Sequence, residues 1–165
     1  MKKIEDAMSF RIFDYKTGET TDEIITCLKS PDGRILSLGN DMKRPEVTEH
    51  LTQHPEIEMS FPVEANKITD YESALALFKY FNNHYLFPTR RIHIKPNYGA
   101  LIYHGYMSDE EKELFTKIML DIGNKNALVL SADELLEGYS SLEEAIWALP
   151  DKYKKIRGAF EIRTH

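Results

Sequence analysis

The spacing of apolar and polar positions changes several times along the chain. Phe10-Arg11-Ile12-Phe13 carries β-favouring side chains and stops at the turn-rich Asp14-Tyr15-Lys16-Thr17-Gly18. Residues 24–28 form a second apolar run. Pro31-Asp32-Gly33 marks a tight turn, because proline presets one dihedral and glycine accepts a positive one. Ile35-Leu36-Ser37-Leu38 then completes a hairpin that stops at Gly39-Asn40. Residues 41–54 are polar and punctuated by Pro45, with Pro55 following, which predicts a short helix or loop. Ile57, Met59, Phe61 and Val63 share one face of a two-residue repeat, with Pro62 at an edge or an end.

Helical spacing begins after Asp70, a good N-cap with Glu72 in the first turn. Ala74, Leu75, Leu77, Phe78, Phe81 and Tyr85 lie close to one helical stripe. Arg91-Ile92-His93-Ile94-Lys95 alternates as a strand, and Pro96-Asn97-Tyr98-Gly99 turns out of it. Ser108-Asp109-Glu110-Glu111 is a capping box. The helix it opens has Leu114, Phe115, Ile118, Met119 and Ile122 on its apolar face and closes at Gly123-Asn124. Ala127-Leu128-Val129-Leu130 is a short strand of the buried type. Residues 133–137 and 142–149 are further helical pieces, and 158–163 a last strand. A hairpin region followed by β-α-β-α-β-α predicts a mixed sheet, antiparallel in the first half with a helix-covered parallel pair in the second.

Composition narrows the class. At 165 residues and 19.2 kDa, one α/β domain over residues 1–165 is expected. The 42% hydrophobic and 11% aromatic content is that of a folded chain rather than a disordered one. A formal net charge of -6 disfavours phosphate backbones and anionic membranes, so no nucleic-acid partner is expected. The single cysteine, Cys27, excludes an internal disulfide framework and a cysteine-built zinc site, and reads as a buried thiol. No run approaches the roughly 20 apolar residues of a membrane helix. Direct membrane insertion is therefore not expected, and a cytoplasmic location is.

Candidate chemistry is sparse. His50 and His54 have zinc-like helical spacing, but Leu51 stands where the zincin order needs Glu, and Pro55 ends the helix. A surface pair is the simpler reading, and no metal is expected. His93 and His104 flank a turn without a carboxylate at a diagnostic spacing. Phosphate-loop and nucleophile-elbow motifs are absent. Thr89-Arg90-Arg91 suits a phosphate, and more simply a solvated strand entrance. Tyr98, Tyr103 and Tyr106 fall on a predicted loop, where tyrosine serves either a partner surface or the loop's own packing. Trp147 joins them as a candidate partner-binding residue.

Ile68-Thr69-Asp70-Tyr71-Glu72 through Ala76-Leu77-Phe78-Lys79-Tyr80-Phe81 resembles the I-A-D-F-E-x-x-x-A-M-L-K-Y-F stretch of MreB, the rod-shape-determining actin homologue. Its neighbours agree in order. Asp32-Gly33-Arg34-Ile35-Leu36-Ser37-Leu38-Gly39 is similar to that family's T-G-K-V-L-A-V-G hairpin, and Leu86-Phe87-Pro88-Thr89-Arg90-Arg91-Ile92-His93-Ile94 to its F-K-P-R-V-V-I-G-I strand. Residues 109–126 follow its T-E-V-E-R-R-A helix, with Gly123 on the glycine of the helix ending. The likeness covers roughly residues 24–140. It implies the first half of a two-domain actin-like ATPase, with a ribonuclease H-like β-β-β-α-β-α-β-α core.

The family's functional residues transfer poorly. Its Asp-Leu-Gly-Thr phosphate turn is matched by Asp14-Tyr15-Lys16-Thr17, with Lys16 on the glycine. Asp14 and Thr17 are thus the candidate cofactor-binding residues of a degenerate turn. The family's catalytic I-E-E-P is matched by Leu130-Ser131-Ala132-Asp133, without acids at the Glu positions. The resemblance therefore implies no catalytic residue and no cofactor. It implies a non-catalytic protein-interaction module with a protein partner or self-association, acting on a filament, a membrane-bound assembly or itself. Folding back of residues 142–149 and 158–163 would cover the surface that faces the second half in the family. The alternatives are metal-dependent phosphodiester cleavage using Asp14 and Asp70, and weak ATP binding as one half of a split ATPase.

Overall fold

The computed structural model describes residues 2–86 and 97–164. The predicted strand at 91–95, His93 and the Thr89-Arg90-Arg91 stretch lie outside the described residues. The main sheet has five strands in the order β2-β1-β10-β8-β9. These are β1 (Ser9–Asp14), β2 (Glu19–Ile24), β8 (Tyr98–Tyr103), β9 (Asn126–Ser131) and β10 (Ile156–Arg163). β1 runs antiparallel to both β2 and β10, and β10, β8 and β9 run parallel. The expected mixed five-stranded α/β sheet is therefore present.

One connection differs from the expected core. The resemblance implies three consecutive opening strands, but the sheet opens with two. Its third position, between the hairpin and the parallel pair, is filled by β10. Sequence reading makes this strand simply the last one, yet it is the central strand. Its composition suits the place: Ala159, Phe160, Glu161 and Ile162 are all at most 5% exposed, as a strand covered on both faces must be.

The two faces carry separate cores. Phe10, Ile12, Leu101, Phe160 and Ile162 point to α2 (Tyr71–Phe81) and α3 (Asp109–Asp121). There Phe10, Phe78 and Phe160 form an aromatic knot with centroids 4.7–5.5 Å apart. The helical stripe read from sequence supplies Ala74, Leu77, Phe78 and Phe81 to it. Phe13, Ala100, Ile102 and Ala159 face the opposite cover, α4 (Ala132–Leu136), α5 (Leu142–Trp147) and α6 (Leu149–Lys152). Trp147 meets Phe13 and Tyr15 edge-on at 5.3 and 5.6 Å, and the Tyr15 hydroxyl donates to the Ile146 carbonyl at 2.7 Å. α5 covers this face of the sheet, whereas residues 158–163, expected to fold back as further cover, form the sheet's central strand.

A smaller sheet, β4-β3-β5, comprises β3 (Cys27–Lys29), β4 (Ile35–Leu38) and β5 (Glu58–Ser60). It packs with α1 (Pro45–Gln53) around Leu28, Met42 and Val47. The predicted run 24–28 is split, because Ile25 and Thr26 leave the main sheet for this one. The predicted strand at 57–63 is likewise broken at Pro62 into β5 and β6 (Val63–Glu64), which pairs with β7 (Lys67–Ile68). Cys27 is fully buried, and burial pushes its thiol pKa up.

Tyr98 and Tyr103 are not on a loop. They bracket β8, whose Tyr98-Gly99-Ala100-Leu101-Ile102-Tyr103 is the continuous apolar run of a buried parallel strand. Tyr103 is 6% exposed and belongs to the core. Of the three tyrosines only Tyr106, 82% exposed, stands free of the fold.

Candidate functional site

In an open α/β sheet, ligand clefts form beyond the carboxyl ends of parallel strands, where the strand order changes direction. Here that place is the end of β8 and β10, where the parallel strands meet the antiparallel hairpin. A cavity of about 790 Å³ opens there, between α5, the β6–β7 turn and the loop after β8. Its polar lining includes Arg11, Asn66, His104, Glu143, Glu161 and Arg163.

Glu161 is its centre. Strand alternation turns it onto the α5 face, directly opposite Arg11 on β1. It is 5% exposed, so its carboxylate needs partners. His104 Nε2 lies 2.7 Å from Glu161 Oε2, and Arg163 Nε lies 4.0 Å from the same oxygen. Arg11 grips Asp22 of the edge strand through two bonds of 2.9 and 3.1 Å. That contact, helped by the charges of Asp22, Glu161 and Glu143, raises the Arg11 pKa, and with the charges of Arg11, Arg163 and Lys43 it lowers that of Asp22.

The rim is held by an unusual turn. Ala65 and Asn66 both have positive φ, 46° and 61°, as a two-residue hairpin of this hand requires. Asn66 tolerates that conformation well, whereas alanine is strained in it. The Asn66 amide donates to the carbonyls of His104 (2.6 Å) and Tyr106 (2.9 Å), tying the turn to the loop after β8. Glu111, expected to close the capping box, accepts instead from the Ile68 amide at 2.7 Å and anchors β7 to α3. Ser108 still caps α3 through the Glu111 amide.

The arrangement offers a buried carboxylate, Glu161, paired with the half-exposed imidazole of His104, with the guanidinium groups of Arg11 and Arg163 beside them. It can receive a polar or anionic group beside the Arg11 and Arg163 guanidinium groups. Among the described residues no group of three or more His, Cys, Asp or Glu side chains is placed to hold a metal ion. His50, exposed on α1, and the half-buried His54 at its C-cap have rings 4.5 Å apart.

The residues singled out from sequence lie elsewhere. Asp14 pairs with Gly158 near the start of β10, at the end of the sheet opposite Glu161. Its carboxylate accepts from the Lys16 amide at 3.0 Å and faces Arg157 at 3.4 Å. Thr17 is exposed in the β1–β2 turn and accepts from the Glu19 amide. Matching Asp14–Thr17 to a phosphate turn presumes that β1 adjoins the parallel pair, and β10 stands there instead. Asp70 caps α2 and is bound by Lys29, Ser60 and Ser73. Among the described residues Asp14 and Asp70 share no partner. His104 does have a carboxylate partner, 57 positions away in Glu161, a separation no local motif displays. The available signal was the lone acid inside the otherwise apolar stretch Gly158-Ala159-Phe160-Glu161-Ile162.

No family profile matches the chain, and no curated protein does either. Solved structures do. The crystal structure of MreB5 of Spiroplasma citri bound to AMPPNP aligns at TM-score 0.61 and 15% identity, over 79% of this chain and 38% of that one. The same protein bound to ADP aligns at TM-score 0.61 and 14% identity, over 79% and 37%. The chain therefore spans less than two-fifths of the length of these structures. At such identity the likeness concerns the fold, and the fold is that of an actin-like domain.

Proposed function

We propose that the chain is a non-catalytic actin-like domain that works by binding protein surfaces, in the setting of cytoskeletal filaments or cell shape. The observation that supports this is the engagement of Glu161. Phosphoryl transfer relies on positioned charges and metal-held phosphates, which need carboxylates free to face a metal. The acid at the carboxyl end of the central strand is instead buried against His104, with Arg11 and Arg163 beside it. Asp14 and Asp70, the acids a nuclease reading would use, are each tied to a cation in separate places. Steady-state phosphate release with ATP and magnesium, on the full chain, tests the reading. The expected rate equals the blank. A rate above it that disappears in Glu161→Gln overturns the proposal.

A second reading, weak nucleotide or anion binding without turnover, is favoured by Arg163, which lines the cavity beside Arg11. A ligand at 100 times its dissociation constant adds about 2.7 kcal/mol of stability. Thermal unfolding with millimolar ATP therefore reads it directly, and an unmoved transition removes it.

A further inference from the structure

The two edges of the main sheet are built differently. The outer strand β2 carries Glu19, Asp22 and Glu23, the charged edge by which soluble sheets avoid pairing. The outer strand β9 has none of these devices. Its six residues, Asn126-Ala127-Leu128-Val129-Leu130-Ser131, contain no charge and no proline. Its register against β8 is unbroken, so no bulge turns the edge away. Among the described residues β9 pairs only with β8. Residues 127–131 are all partly exposed, and the helices packed beside β9 leave Leu120 on α3 and Leu136 on α4 at 42% and 40% exposure.

We propose that β9 pairs antiparallel with β9 of a second copy of this chain, joining two five-stranded sheets across a two-fold axis. This rests on the interaction reading above and names its partner. Symmetry restricts the geometry strongly. Two identical edges meet side by side about an axis normal to the sheet, so strands run antiparallel and like faces stay on the same side. Facing residues then share parity, and the register centres on a residue rather than between two. Centred on Val129, the pairing sets Val129 against its own copy and Leu128 against Leu130. The Ala127–Val129–Ser131 side continues one core, and the Leu128–Leu130 side the other.

Charge selects this centre. The flanks of the strand are Lys125 on one side and Asp133, followed by Glu134, on the other, all exposed. The register centred on Val129 brings Lys125 of each copy towards Asp133 of the other. The same surface thus carries both halves of two symmetric ion pairs, the self-complementarity an isologous interface needs. The β2 edge lacks this property, since every charge on it is negative.

Sedimentation equilibrium of the full chain over roughly 1–200 µM, the span in which a modest interface reports its dissociation constant, is the test. The mass is expected to rise from 19.2 kDa to twice that value. Lys125→Asp and Asp133→Lys each place like charges together and are expected to weaken the dimer at least about tenfold. The double variant Lys125→Asp/Asp133→Lys restores the opposition and is expected to recover the wild-type constant. Both positions are exposed, and far-ultraviolet circular dichroism checks that the variants fold. A chain monomeric throughout, a dimer indifferent to the single reversals, or a double variant that stays monomeric each overturns the pairing. A monomer that releases no phosphate from ATP removes the pairing and leaves the non-catalytic reading standing. A reversal-sensitive dimer that hydrolyses ATP does the opposite.

Discussion

Replacing Asp70 by asparagine removes a negative charge and almost nothing of the shape around it. The carboxylate sits between the smaller sheet and the start of α2. Its Oδ2 accepts from Lys29 Nζ at 2.9 Å, Ser60 Oγ at 3.0 Å and Ser73 Oγ at 2.7 Å, and its Oδ1 caps the helix through the Ser73 amide at 3.3 Å. Burial pushes its pKa up, but the bonds from Ser73, Lys29 and Ser60 outweigh it and hold the pKa at about 2, against an ordinary 3.8. A lowered folded-state pKa stabilises the fold above the unfolded pKa, and the stabilisation is lost as pH falls through the folded one. At about 1.4 kcal/mol per pH unit the full gap is worth roughly 2.5 kcal/mol. The side chain is 26% exposed, and solvent screening brings the expectation to about 1–2 kcal/mol.

Asparagine keeps the helix cap, since Asn and Asp are about equal there. Asp70→Asn therefore isolates the charge. At pH 7 its melting temperature is expected to lie about 2–8 °C below wild type, at about 2–4 °C per kcal/mol for a chain of this size. Asp70→Ala also loses the cap, about 1 kcal/mol more. Urea titrations at a series of pH values supply the sharper check. The difference between wild type and Asp70→Asn is expected to stay constant down to about pH 4–5 and to vanish towards pH 2. A difference that persists unchanged at pH 2.5, or none at pH 7, refutes the argument that Lys29 and the two serines stabilise the ionised form.

Gly39 has φ +60°, and an added Cβ would stand 2.4 Å from Glu23 Oε1 and 2.9 Å from Phe81 Cζ, so Gly39→Ala is expected to cost about 2–4 kcal/mol in urea unfolding. Ala65 is the opposite case: at φ 46° it is strained, and Ala65→Gly is expected to raise stability by about 0.5–1 kcal/mol in the same assay. His104→Ala leaves the 95%-buried side of Glu161 without its imidazole and is expected to cost about 1–3 kcal/mol, while Glu161→Gln/His104→Ala costs less than the single changes combined.

Most local elements were legible because their signals are local. The cap at Asp70, the aromatic stripe of α2, the Ser108 cap and the Pro31-Asp32-Gly33 turn all appear where the pattern puts them. The apolar run of β9 also does, although a buried-type strand proves to be an edge. Two failures share another cause. Proline and glycine in Pro96-Asn97-Tyr98-Gly99 predict a turn there and a loop through Tyr103, yet the apolar residues of β8 are buried by strands and helices remote in sequence. Gly158–Arg163 has a strand's composition, but nothing in composition tells an edge strand from a central one. That position is decided by which neighbours bury it, and with it the location of the site. Glu161 and His104 meet because β8 and β10 are adjacent, not because of any spacing between them.

The central place of β10 has a consequence that separates it from an ordinary terminal strand. It is bonded on both sides, to β1 over Ser9–Asp14 and to β8 over Tyr98–Ile102. Removing residues 154–165 therefore deletes two ladders and splits the sheet into the β1–β2 hairpin and the β8–β9 pair. It also exposes Phe10, Phe78 and Phe13, which Phe160 and Ala159 help to bury. An edge strand lost from such a sheet would cost part of the stability; the loss of this one removes the element that both cores share. The truncated chain is expected to show no near-ultraviolet circular dichroism and no cooperative thermal transition, the signature of collapsed secondary structure without fixed packing. Removing only residues 164–165, beyond the last ladder bond, is expected to leave the transition within about 2 °C of wild type. A cooperative transition in the chain lacking 154–165 would mean that β1 and β8 pair without β10, and that the strand order proposed for the centre of the sheet is not what holds it together.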